Sequence, residues 1–142
     1  MSKLRPILLA EDNPNDVELT LDALHSANLA NEIIVVHDGA AAVEWLRAHS
    51  AMLPAVVILD LKMPRMDGLE ALRKIREDPV LHAQPVVILT SSREESDIVG
   101  SYGLGVNAYV VKPVEFDGFI SAVSQLGVFW AMLNESPPAG AK

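Results

Sequence analysis

Glu11-Asp12, Asp60, Thr90 and Lys112-Pro113 are far apart in the chain, yet each closes a short apolar run: PILLA, AVVIL, PVVIL and NAYVV respectively. Carboxylates gathered in a semi-buried crevice repel one another, and their pKa values rise unless a cation compensates. Lys112 is one such cation, and a bound divalent metal is a second. No His or Cys stands at these run ends, and an all-oxygen donor set favours Mg²⁺ over zinc or copper. Mg²⁺ is typically held by one or two carboxylates together with waters and a phosphate oxygen, so such a site is complete only when a phosphoryl group arrives. An aspartate beside the ion can attack phosphorus and form an aspartyl phosphate, the ion stabilising the charge of an in-line transfer. Lys112 would then pair with one phosphoryl oxygen as a point charge, and the Thr90 hydroxyl could bond another. Any one of these residues alone is an ordinary loop or cap residue. Acids at two run ends, a hydroxyl at a third and Lys-Pro at a fourth are together hard to reconcile with chance.

The elements that must position them are legible in outline. Five apolar runs, at 6–10, 32–36, 55–59, 85–89 and 107–111, are short, rich in β-branched residues and bounded by Pro, Gly, Asn or Asp, which reads as strands. Their continuous apolarity predicts burial on both faces of a parallel sheet. Helical periodicity fills the intervals. Asn13-Pro14 is an N-cap with proline at the first helical position, ahead of Val17, Leu21 and Leu24. Residues 39–49 carry Val43 and Leu46. Leu69, Leu72 and Ile75 share a face after Gly68, and Asp78-Pro79 stops that helix. Ser92-x-x-Glu95 reads as a capping box ahead of Ile98 and Tyr102, and residues 115–133 form the last and longest helix. Five strand–helix alternations predict a doubly wound α/β fold with helices on both faces. In such sheets ligands bind beyond the carboxyl ends of the strands, where the acids and the lysine lie.

With these residues in place, the sequence resembles the receiver domain of two-component response regulators. The match rests on Glu11-Asp12, Asp60 in DLKMPRMDG, Thr90 in ILTSS and Lys112-Pro113 in AYVVKP. The resemblance implies a flavodoxin-like (βα)5 fold with strand order 2-1-3-4-5. It implies that Asp60 is the phosphoacceptor and that Thr90 and Lys112 contact the phosphoryl group. It also implies that Asp12 and Asp60 ligate Mg²⁺ with the backbone carbonyl of Lys62, Glu11 acting mainly through water. Tyr109 matches the family's switch aromatic, which responds to Thr90, and the Lys112–Pro113 peptide bond is expected to be cis. Lys62 and Ser92 flank the path of an attacking water in this family, so they bear on phosphate lifetime. The stretches EDNPND, VHDG and LGVFWAMLNESPP are further similar to single-domain receivers that accompany bacterial phytochromes and related sensor histidine kinases. A sensor histidine kinase, of that kind, is therefore the expected phosphoryl donor, with a downstream target or phosphotransferase as recipient.

The remaining features bound the reading. The chain has 142 residues, no cysteine and a net charge of −8. One domain is expected over residues 1–133, with a flexible tail at 134–142 and no output domain. The charge argues against non-specific nucleic-acid or anionic-membrane binding, which needs clustered Lys and Arg. No apolar run is long enough to span a bilayer, and a cytoplasmic location is expected. A Mg²⁺-dependent phosphohydrolase is the alternative from another class, but such enzymes commonly carry a second acid where Lys62 stands. A receiver-like scaffold that takes no phosphate is the other, and the intact acids, Thr90 and Lys112 argue against it. The four histidines show no metal spacing.

The last helix carries two apolar stripes, one through Phe116, Ile120, Val123 and Trp130 and a second through Phe119, Leu126, Phe129 and Leu133. One stripe can cover the sheet, and the second calls for another partner, here a homodimer surface. Light scattering should therefore report a dimer for the wild type and a monomer for the Phe129→Asp, Leu133→Asp double variant. A wild type that is monomeric both with and without phosphate contradicts the dimer.

Overall fold

The computed structural model describes residues 5–26, 31–91, 103–104, 108–113, 115, 117–118 and 121. The expected helix that begins at Ser92, the dimer residues Phe119, Leu126, Phe129 and Leu133, and the tail from 134 lie outside the described residues. Among those described, the elements are β1 (Ile7–Ala10), α1 (Pro14–Ser26), β2 (Ile33–Val36), α2 (Gly39–Ala48), β3 (Val56–Asp60), α3 (Gly68–Glu77), β4 (Val86–Thr90) and β5 (Ala108–Val111). All strand pairs are parallel, in the order β2-β1-β3-β4-β5. The expected fold class is thus the observed one.

Side-chain alternation along each strand builds a separate core on each face. Ile7, Leu9, Val56, Ile58, Val87, Leu89, Ala108 and Val110 pack with Ala23 and Leu24 of α1. Leu8, Ala10, Val57, Leu59, Val86 and Ile88 pack instead with Val43 and Leu46 of α2 and with Leu72 and Ile75 of α3. β1, β3 and β4 are buried throughout, because each has strands on both sides and helices over both faces. β2, an edge strand, is only half-buried along its length, and β5 ends on the exposed Val111. The expectation of full burial therefore fails at the two outer positions of the order. An edge strand has a neighbour on one side only, and apolarity alone does not distinguish it from an interior one.

The helices start where short polar side chains cap them. Asn13 Oδ1 accepts from the Asp16 N–H at 3.0 Å, Asp38 Oδ1 from Ala41 N–H at 2.8 Å and Asp67 Oδ1 from Glu70 N–H at 2.8 Å. Each satisfies one of the otherwise unpaired amides of a first turn. At the far end of α3, Asp78 Oδ1 accepts from Val80 and Leu81 N–H, so the predicted stop at Asp78-Pro79 is also a turn.

Two glycines let the loop after β3 fold back on the sheet. Gly68 N–H donates to Leu61 O at 2.8 Å, and a Cβ at Gly68 would stand 2.2 Å from the Asp60 carbonyl oxygen. Gly39 N–H donates to Met66 O at 2.9 Å, and a Cβ there would stand 2.3 Å from that same carbonyl. Both obstacles are backbone atoms, which cannot swing away. Gly68→Ala should consequently lower stability by about 2–3 kcal/mol or more in urea titration. Gly118→Ala, where the added Cβ meets nothing within 4 Å and the backbone is helical, should leave stability unchanged or raise it by up to about 1 kcal/mol. Equal effects at the two positions would contradict the close approach.

Candidate functional site

The strand registers bring the run ends level. Ala10 pairs with Leu59, so Glu11 and Asp60 are the next residues on adjacent strands. Thr90 pairs with Val111, and Lys112 N–H donates to Thr90 O at 2.8 Å, which continues the β4–β5 ladder by one residue. Alternation then assigns sides. Leu9, Ile58 and Val110 face α1, so Glu11, Asp60 and Lys112, each two residues further on, project to that side. Ile88 and Tyr109 belong to the opposite core, so Thr90 shares its side of the sheet with Tyr109. Thr90 is fully buried and Tyr109 half-buried against the α2–α3 core.

Lys112 is the hub on the α1 side. Its Nζ lies 2.9 Å from Glu11 Oε1, 2.9 Å from Asp16 Oδ2 and 3.2 Å from Asp60 Oδ1. Burial works against its ammonium, but the hydrogen bond that it donates to Asp16 and the ion pairs with Glu11 and Asp60 outweigh this and raise its pKa. Asp60 is almost fully enclosed. Desolvation, followed by the hydrogen-bonding and charge of Glu11, pushes its carboxyl up to about 7, against a smaller opposing pull from Lys112. One ammonium does not neutralise this crevice.

A second cation fits. One carboxylate oxygen from each of Glu11, Asp12 and Asp60 falls within 4.8 Å of the others. Glu11 is completely buried. Its Oε2 accepts from Asn13 N–H at 3.2 Å, while Oε1, though ion-paired to Lys112, has no aligned hydrogen-bond donor. A buried carboxylate oxygen of this kind and an all-oxygen donor set suit a hard divalent ion such as Mg²⁺ or Mn²⁺. Asp12 is exposed at the mouth. Lys62 is exposed two residues past Asp60. The Lys112–Pro113 bond is cis.

Several supporting residues were not evident from the sequence. Asp16, in the first turn of α1, supplies a third carboxylate to Lys112; its signal was a helix packed on the side of the sheet to which Glu11 and Asp60 point. Asp38, the α2 cap, also receives Arg65 Nε at 2.9 Å and Nη2 at 2.8 Å. The Ala41 amide, with Arg65 behind it, holds the Asp38 carboxyl below the usual range. Arg65 takes a left-handed φ of 63°, a conformation uncommon for a residue other than glycine. The loop that follows Asp60 is thereby fastened to the start of α2. The strand before that helix reaches the acids as well: Glu11 N–H donates to Val36 O at 3.0 Å, and His37 Nδ1 lies 3.2 Å from Glu11 O.

The comparisons with known proteins agree with this geometry. The family profile of the response regulator receiver domain matches residues 7–124. The bacteriophytochrome response regulator AtBRR is 56% identical, with a TM-score of 0.87 over 94% of this chain and 100% of its own. The probable methanogenesis regulatory protein FilR2 of Methanothrix harundinacea is 37% identical over 92% of this chain and 86% of its own. Response regulator Rcp1 of Synechocystis is 35% identical over 94% of this chain and 93% of its own. A solved structure of Rcp1 in its Mn²⁺-bound form superposes with a TM-score of 0.69, covering 95% of this chain and 99% of that one.

The displaced pKa of Asp60 has a stability consequence. Its carboxyl titrates at 3.8 in the unfolded chain and about 7 in the fold. The protonated carboxyl therefore contributes stability that is complete below about pH 3.8 and is lost as pH rises through about 7. In chelator, the thermal midpoint of the wild type should fall between about pH 5 and pH 8 relative to that of Asp60→Asn. Parallel pH profiles for the two proteins would contradict the strain assigned to Asp60.

Proposed function

The chain belongs to the response regulator receiver family, and from that premise we propose that Asp60 is its phosphoacceptor, with Asp12, Asp60 itself and the Lys62 carbonyl holding Mg²⁺ and Glu11 acting mainly through water. Members of this family partner with sensor histidine kinases. The 56% identity to AtBRR supports a bacteriophytochrome kinase as donor, and the Mn²⁺-bound form of Rcp1 supports a divalent ion among the acids. The observation that carries the reading is the buried, under-neutralised Asp60, held 3.2 Å from Lys112 and beside Glu11 and Asp12.

In the transfer, an Asp60 carboxylate oxygen forms the new P–O bond while the bond from phosphorus to the leaving group breaks, its electron pair departing with that group. Bound Mg²⁺ supplies charge stabilisation for this in-line displacement. Lys112 bonds a phosphoryl oxygen and orients it. Thr90, buried at the end of β4, donates its hydroxyl to another oxygen and is drawn toward it. Thr90 and Tyr109 share one side of the sheet, so a shift of Thr90 opens or closes space for the Tyr109 ring, which is the switch. In hydrolysis water attacks phosphorus, the Asp60 O–P bond breaks, and inorganic phosphate leaves the restored carboxylate. The chemistry of the chain is confined to its own side chain, so it acts as a signalling protein rather than a turnover enzyme. Its output is contact with a protein target or relay of the phosphoryl group from a cytoplasmic location, with the last helix as a homodimer surface.

Incubated with acetyl phosphate and Mg²⁺, the protein should transiently gain the mass of one phosphoryl group by intact-mass spectrometry. The gain should be missing in Asp60→Asn and in chelator. A wild type left unmodified by every small-molecule donor and by histidine kinases would overturn the reading in favour of a scaffold.

A further inference from the structure

An ammonium has three N–H donors and no acceptor, and the Lys112 Nζ lies within 3.2 Å of three carboxylates. Two of these, on Glu11 and Asp60, belong to the acid cluster. The third, on Asp16, does not, so Lys112 stands between that cluster and the first turn of α1. Asp16 is itself fixed. Its N–H donates to Asn13 Oδ1 at 3.0 Å, and its carbonyl accepts from Thr20 Oγ1, a buried side chain, at 2.8 Å. Its side chain is less than a third exposed. Asn13 N–H in turn bonds Glu11 Oε2. The backbone of the first turn is thereby tied to the acids on one side, and the Asp16 carboxylate to Lys112 on the other.

We infer that Asp16 is a positioning residue for phosphoryl transfer, which anchors the Lys112 ammonium from the α1 side so that its remaining donors stay aimed at Asp60 and the incoming phosphoryl group. The inference rests on Asp60 as the acceptor. A lysine side chain carries about 2 kcal/mol of rotamer entropy, and a donor already fixed where charge develops spares that ordering during the reaction. Glu11 and Asp60 belong to the cluster that would hold the metal, with its waters, and take the phosphoryl group, so neither is a constant partner for Lys112 in the loaded site. Asp16 lies outside that set, so its bond to Nζ can persist through the whole cycle. Asp16 does not touch the reacting atoms; it acts through Lys112.

The test is a double-mutant cycle on the full chain. Phosphorylation by saturating acetyl phosphate is followed by intact mass in the wild type, Asp16→Ala, Lys112→Ala and the double variant, with Mg²⁺ affinity measured by titration calorimetry. Asp16→Ala should slow phosphorylation about tenfold, leave Mg²⁺ affinity unchanged and have no further effect in the Lys112→Ala background. Asp16→Asn, which keeps the shape and one acceptor, should fall between wild type and Asp16→Ala, and it decides the matter if Asp16→Ala fails to fold. An unchanged or faster rate overturns the inference, as does an equal slowing in both backgrounds or a parallel loss of Mg²⁺ affinity. A wild type that takes no phosphoryl group overturns the Asp60 reading instead, and is seen before any Asp16 variant is compared.

Discussion

One ammonium among four carboxylates is the interaction on which the rest depends. Lys112 bonds Glu11, Asp16 and Asp60, and Asp12 stands at the mouth. Buried charges of one sign are tolerable only when paired, and here the pairing is incomplete. The deficit appears as the raised pKa of Asp60 and the buried Glu11 oxygen without an aligned donor. A site of this kind binds a hard cation because binding relieves repulsion already built into the fold. In the proposed function, that cation and Lys112 together would meet the phosphoryl group.

The fold creates this condition through register and alternation. Parallel pairing of β1 with β3 sets Glu11 level with Asp60, and pairing of β4 with β5 sets Thr90 beside Lys112. Alternation sends Glu11, Asp60 and Lys112 toward α1, and Thr90 and Tyr109 toward α2 and α3. The acids and Lys112 thus lie on one side of the sheet end, and Thr90 and Tyr109 on the other. The loop after Asp60 is pinned by Gly39, Gly68 and the Asp38–Arg65 pair, which fixes where the backbone next to Asp60 lies.

Much of this was legible in the sequence because the informative residues act locally. Asn13-Pro14, Gly68 and Asp78-Pro79 mark helix ends by their own backbone preferences, and the five β-branched runs mark strands. Glu11, Asp12, Asp60 and Lys112 stood out because a charge directly after a buried run requires a reason. What was not legible depended on tertiary placement. β2 reads as apolar as β3, yet it lies at the edge. Asp16 looks like any first-turn acid until α1 is known to cover the side toward which Lys112 points. Arg65 and Asp38 are 27 residues apart, and no periodicity links them.

The most direct measurement is the position of the acyl phosphate itself. Borohydride reduces an aspartyl phosphate to homoserine, and peptide mass mapping after reduction then names the residue. The account predicts homoserine at position 60, formed only when Mg²⁺ and a phosphoryl donor were both present. Homoserine at Asp12 or Glu11's reduced counterpart at position 11, or no reduced residue in a protein that has demonstrably gained phosphate, would contradict it.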